Sequence, residues 1–188
     1  MELYLVRHTA PDINEGICYG QSDIDVMNSF AHELAALKRK IDGIQPTMIY
    51  SSPLQRCAKL AGALQLGSVI HDDRLKELNF GDWELKTWDD IPRPVFDAWA
   101  NDYANLSPPN GETFSQLHVR ATAFLRDCKR HTAGDSVMVV THGGVIRALL
   151  AEVLNIPLKG LFRFRIDYAS VTQLVLDEAV PRLGYVNR

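Results

Sequence analysis

A three-layer α/β/α sandwich around a mostly parallel sheet is the fold this sequence predicts. Three observations carry the expectation. Short apolar runs at residues 2–6, 47–50 and 136–140 alternate with segments of helical period, the pattern of strand–helix–strand units. The best of these runs, 136–140, passes through Thr141-His142 into the pair Gly143-Gly144, which opens another helix. And 188 residues suit one domain with a real core better than two, so residues 1–188 are expected to fold as one unit.

Residues 2–6 read as a buried strand ending on Arg7-His8. Residues 10–26 are loop-like, broken by Pro11, Asp12, Asn14, Gly16 and Gly20. Met27, Phe30, Ala31, Leu34, Leu37 and Ile41 recur at helical spacing, and Gly43 stops the run. A second strand covers 47–50. Ser52-Pro53-Leu54-Gln55 predicts a helix start with Ser52 as cap, Arg56 in the opening turn and an end near Leu66. Residues 69–70 are a further short strand, and 72–90 is irregular and acidic. Residues 91–105 are partly helical, and Pro108-Pro109-Asn110-Gly111 is a turn. Phe114, Leu117, Ala121, Phe124, Leu125 and Cys128 make an amphipathic helix. After the 136–140 strand and a helix over 145–154, residues 161–166 and 170–176 are predicted as two more strands around a turn near Asp167.

Composition excludes several classes. The chain is 46% apolar and 23% charged, ordinary for a soluble globular protein. A net charge of −3 gives no basic field for nucleic acid. The run Lys38-Arg39-Lys40 suits the end of its helix, where cations meet the dipole. No basic segment precedes the first apolar run, which breaks at Arg7, and no apolar stretch nears the ~18 residues of a membrane span. Cys18, Cys57 and Cys128 are odd in number and widely spaced, as expected of thiols in a reducing compartment. Cytoplasm is the expected location, and no signal sets an oligomeric state.

Ligands of parallel sheets bind beyond the carboxyl ends of the strands. Three such ends carry polar groups here: Arg7-His8, then Ser51-Ser52 with Arg56, then Thr141-His142-Gly143-Gly144. If those strands are parallel and adjacent, the groups share one crevice. A helix start with glycines favours an anion through free N–H groups and the dipole, although two glycines also suit a plain tight turn. Arginine offers phosphate a planar fork that stays charged, and equally makes ion pairs with surface carboxylates. His8 is either reactive or a hydrogen-bonded structural histidine. His8 and His142 lack the neighbours of a zinc site, and neither metal nor cofactor is expected. Glu77, Asp82 and Glu84 are rival acids on one loop, and pattern does not choose among them.

Four segments occur in fixed order: Arg7-His8-Thr9; Ser51-Ser52-Pro53-Leu54-Gln55-Arg56-Cys57-Ala58; Leu75-Lys76-Glu77-Leu78-Asn79-Phe80-Gly81-Asp82-Trp83-Glu84; and Val140-Thr141-His142-Gly143-Gly144-Val145-Ile146-Arg147. Together they resemble the signature blocks of the histidine phosphatase superfamily, in its phosphoglycerate mutase-like branch. The resemblance implies a phosphomonoesterase with His8 as nucleophile and Glu77 as proton donor. It implies phosphate binding by Arg7, Arg56 and His142, with Asn14 and the Gly143 N–H as further contacts, and a small phosphomonoester as partner. The loop Gly16-Ile17-Cys18-Tyr19-Gly20-Gln21-Ser22-Asp23, with Thr9 in place of the commoner glycine, is similar to the α-ribazole-5′-phosphate phosphatases of cobalamin assembly. On that resemblance Tyr19, Gln21 and Trp83 become substrate-binding candidates, with Trp88 a further aromatic for stacking. Leu85 stands where relatives usually have glycine, and Val26 where leucine is commoner.

Overall fold

The computed structural model describes residues 1–130, 135–176 and 180–188. Among these, six strands form one sheet: β1 (Glu2–Arg7), β2 (Met48–Ser51), β3 (Val69–His71), β4 (Ser136–Thr141), β5 (Val171–Val175) and β6 (Arg182–Tyr185). Their spatial order is β3-β2-β4-β1-β5-β6. The pairings β3–β2, β2–β4 and β4–β1 are parallel, whereas β1–β5 and β5–β6 are antiparallel. The sheet is mixed, with parallel pairing in the majority. Five helices accompany it: α1 (Phe30–Lys40), α2 (Gln55–Leu64), α3 (Arg93–Asn101), α4 (Phe114–Cys128) and α5 (Gly143–Leu154).

Successive strand side chains point to opposite faces, and the core divides accordingly. Leu3 and Leu5 of β1 join Val137 and Val139 of β4 beneath α4 and α5. Tyr4 and Val6 join Met138 and Val140 on the other face, against Leu37 of α1 and Cys57 and Leu60 of α2. With both faces covered, the central strands need continuous apolar runs rather than alternation. Leu3, Leu5 and Val139 are fully buried, each contributing about 1.5–3 kcal/mol by leaving water. No helix among the described residues is long and apolar enough to cross a membrane.

The structure corrects four expectations. Helix α2 begins at Gln55, three residues beyond the expected cap. Leu54 is its cap residue; the Ser52 hydroxyl accepts from the Leu54 N–H at 3.3 Å, ahead of the helix, and also lies 2.8 Å from Nε2 of His142. Residues 161–166 are not a strand: Leu161–Arg163 is a 3-10 turn. The carbonyls of Phe164 and Ile166 accept side-chain bonds from Arg147 and Arg7, so no ladder uses them. Helix α1 starts at Phe30 rather than Met27, whose N–H is bonded to the Ala10 carbonyl. Strand β6 was not expected; its alternating burial and Gly184 give a weak pattern. The acidic segment 72–90 is irregular, as predicted, with short 3-10 turns at Asp73–Leu75, Gly81–Trp83 and Trp88–Asp90.

Candidate active site

Because β2, β4 and β1 are adjacent and parallel, their carboxyl ends open on one edge of the sheet. A chamber of about 190 Å³ lies there, and Arg7, His8, Tyr19, Glu77, Gly143 and Gly144 are among its lining residues. Five of these six were candidates from sequence; Gly144 was read only as part of the helix start.

His8 is almost fully buried, and its Nδ1 lies 2.7 Å from the Thr9 carbonyl oxygen. A carbonyl only accepts, so Nδ1 carries the proton and Nε2 keeps its lone pair. Burial, followed by the charges of Arg56 and Arg7, holds His8 well below the ordinary histidine range. His8 is therefore neutral near pH 7.

His142 is fully buried, its ring centroid 5.0 Å from that of His8. Its Nε2 meets Ser52 Oγ at 2.8 Å and Cys57 Sγ at 3.5 Å. Burial, then His8 and the three arginines Arg56, Arg7 and Arg120, also hold it well below the ordinary range. It is a neutral hydrogen-bonding group in this structure, not a third fixed cation.

The fixed charge comes from arginines. Arg56 is fully buried, with its terminal nitrogens donating to the Ser22 and Gly20 carbonyls of the 16–26 loop. Arg7 donates to the Ile166 carbonyl, and its guanidinium carbon lies 3.9 Å from the centroid of the Tyr168 ring. The Nε groups of both are buried without a hydrogen-bond partner among the described residues. Buried donors on charged groups without partners are costly, and an anion offsets that cost. Arg147, given no role from sequence, also lines the chamber and donates to the Phe164 carbonyl through Nε and Nη2. Burial depresses it, with Glu77 opposing and Arg7 adding.

Among the three rival acids, only Glu77 lines the chamber. Its Oε2 accepts from the Gly144 N–H at 3.0 Å and its Oε1 from the Leu78 N–H at 2.9 Å. A Cβ on residue 144 would lie 2.1 Å from Oε1, so glycine there is what admits the carboxylate. Gln21 Nε2 and Arg120 Nη2 both donate to the Glu77 carbonyl. Gln21 thus holds the acid loop in place and does not line the chamber. Asp82 faces Asn110 at the exposed surface. Glu84 accepts from the N–H groups of Gly20, Gln21, Ser22 and Phe80 and from the Ser22 hydroxyl. Burial pushes Glu84 up, but those donors outweigh it and its net shift is downward. It is a charged strut of the loop and not an acid of the chamber.

Two further candidates lie elsewhere. Asn14 lines a neighbouring cavity together with Tyr168 and Met27. Trp83 is 4% exposed and meets Trp99 edge to face, so it is a core residue. Sequence reading missed Tyr168, whose hydroxyl lies 2.6 Å from that of Tyr19 and whose ring centroid is 5.6 Å from that of His8. Nothing in the sequence around residue 168 marks it; the antiparallel return of β5 beside β1 brings it there. No group of three or more His, Cys, Asp or Glu side chains placed to hold a metal ion occurs among the described residues.

This arrangement can offer a neutral imidazole to an electrophile, surround an anion with fixed positive charge and backbone N–H groups, and hold one carboxyl group at its side. Comparison with known proteins is consistent with that chemistry. A provisionally named phosphoserine phosphatase 2 from Hydrogenobacter thermophilus is 31% identical, over 99% of this chain and 95% of the relative. An adenosylcobalamin/alpha-ribazole phosphatase from Escherichia coli is 24% identical, over 100% and 96%. The crystal structure of an alpha-ribazole phosphatase from Shigella flexneri superposes with a TM-score of 0.90 at 24% identity, covering 100% of this chain and 96% of that one, which supports the fold. Phosphatase-named relatives support phosphatase activity. The family model for the histidine phosphatase superfamily (branch 1) matches residues 3–188, and the chain belongs to that superfamily.

Proposed function

We propose that the protein hydrolyses phosphate monoesters through a phosphohistidine formed on His8. The observation that carries this reading is the hydrogen bond from His8 Nδ1 to the Thr9 carbonyl, which leaves Nε2 unprotonated beside two arginines. Nε2 attacks phosphorus, the ester P–O bond breaks, and Glu77 protonates the departing oxygen. Water then attacks the phosphohistidine, Glu77 takes its proton, the P–N bond breaks, and inorganic phosphate leaves. Arg7, Arg56, a hydrogen-bonding His142 and the N–H of Gly143 offset charge on the phosphoryl oxygens, the main task in this chemistry. The whole of residues 1–188 acts as one unit in this scheme.

The substrate we infer is α-ribazole 5′-phosphate, on the strength of the 16–23 loop and the alpha-ribazole phosphatase relatives. A second reading, hydrolysis of O-phosphoserine, is favoured by the 31% relative. A third, phosphoryl transfer between phosphoglycerates, would use the same phosphohistidine. Ranking kcat/KM over α-ribazole phosphate, O-phosphoserine, 3-phosphoglycerate and sugar phosphates separates them. First rank for α-ribazole phosphate is expected, and first rank for O-phosphoserine or transfer between phosphoglycerates would overturn it.

A further inference from the structure

An apolar annex adjoins the catalytic chamber. Its cavity of about 510 Å³ has Trp88, Phe96, Trp99, Tyr103 and Phe162 among its walls, and Phe80, Trp88 and Phe162 line both spaces. The rings meet mostly at angles: Phe80 to Trp88 at 5.6 Å, Trp88 to Phe96 at 5.9 Å, Tyr103 to Phe162 at 4.9 Å between centroids. The walls are not closed off as a core would be, since Phe162 is 50% exposed and Trp88 and Phe96 are half-buried. An apolar concavity continuous with a reactive group is where the non-reacting part of a ligand sits.

The annex also says what that part is not. None of its lining side chains carries a charge. The Tyr103 hydroxyl, its one hydroxyl group, is already committed: it donates to the Leu158 carbonyl at 2.6 Å and accepts from the Gly160 and Leu161 N–H groups. A carboxylate or polyol placed there would meet no charged side chain and few donors, the indole N–H of Trp99 being one that is buried without a partner among the described residues, so it would lose more water than it regains in partners. Flat rings, by contrast, meet aromatic walls in edge and offset contacts worth about 0.5–1.5 kcal/mol each beyond burial.

We propose that this annex binds an uncharged aromatic ring system in the substrate's leaving group, and that Trp88, Phe96 and Phe162 set the preference for it. The proposal rests on the phosphomonoesterase reading above and deepens it: the phosphate end is generic, and selectivity lies in the annex.

The test compares ethyl, cyclohexylmethyl, benzyl and 2-naphthylmethyl phosphate. All release primary alcohols, so ring character varies while leaving-group chemistry changes little. Naphthylmethyl over ethyl phosphate is expected to win by at least ~10-fold in kcat/KM, carried by KM. Benzyl should also exceed cyclohexylmethyl. Phe96→Leu keeps apolar bulk but removes the ring, and should lower the naphthylmethyl-to-ethyl ratio several-fold. Ready turnover of all four at equal kcat/KM would overturn the annex proposal and leave the phosphatase reading standing. Turnover of none would overturn the phosphatase reading. In that event binding still judges the annex, because all three tryptophans of the chain belong to this ring cluster. Saturable change of tryptophan emission on adding 2-naphthylmethanol is expected, and emission unchanged up to its solubility limit would overturn the proposal.

Discussion

The floor of the chamber around His8 and the aromatic wall beside it are built on opposite principles. The floor stands on the ends of β1, β2 and β4 and the start of α5; His8 lines the chamber, Arg56 and His142 are not among its lining residues, and all three are at most 1% exposed. Its polar atoms are positioned by main-chain partners such as the Thr9 carbonyl and the Gly144 N–H. The wall comes from Trp88, α3 and Phe162, outside the sheet, and is held by ring contacts. Directed bonds fix a geometry to fractions of an ångström, whereas apolar contacts tolerate exchange of shape at similar volume. On the proposed function, a rigid floor with an adaptable wall would let one reaction serve different leaving groups.

The comparison breaks most visibly on Arg7→Ala. Removing a floor cation should lower kcat/KM about 10³-fold for ethyl and naphthylmethyl phosphate alike. A loss confined to one of them would erase the division between floor and wall. Gly144→Ala comes next: its Cβ would stand 2.1 Å from Glu77 Oε1, forcing the carboxylate aside. We expect kcat to fall by about 10²-fold with KM little changed, and an unchanged kcat would mean that Glu77 need not sit there.

Stability against pH sharpens the contrast further. His8 and His142 are held neutral, well below the ordinary histidine pKa of about 6.5 that applies to the unfolded chain. Below about pH 6.5 the unfolded chain takes up protons that the folded chain refuses, so this stability is present above that pH and lost as pH falls. The loss should reach up to about 1.4 kcal/mol per pH unit for each histidine. Urea unfolding at pH 7.5 and 5.5, followed by tryptophan emission, measures it; equal stabilities would contradict neutral histidines. The smallest effect is at Leu85, which holds a left-handed φ of 65° and is 60% exposed. Leu85→Gly should raise stability by about 0.5–1 kcal/mol, relief of backbone strain exceeding the added chain entropy. A lowered midpoint in the same unfolding experiment would show that Leu85 makes contacts that matter more.

Legibility in the sequence follows the same division. Residues 2–6 and 136–140 read as strands because both faces of the sheet are covered, and strand ends place Arg7, His8 and His142 where pattern expects them. Glu77 emerged from its neighbours only by resemblance, and the structure separates it from Asp82 and Glu84 by where each carboxylate points its bonds. Ser52 misled on where the helix begins, since its hydroxyl takes the Leu54 N–H in a turn before the helix and also meets His142, a second role no local pattern records. Residues 161–166 misled because their apolar spacing suits a strand, while distant Arg7 and Arg147 claim the carbonyls a ladder would need. Trp83 and Trp88 are five residues apart on one irregular segment, yet one is core and the other lines two cavities. Their fates depend on how α3 folds back over that segment, which no local pattern records.

The most direct measurement is the site of covalent phosphate. Wild-type protein mixed with a radiolabelled phosphomonoester and quenched in alkali should carry label that is lost in acid, as a phosphohistidine does, and His8→Ala should carry none. Equal labelling of His8→Ala, or label that survives acid, would contradict the assignment of His8 as the nucleophile.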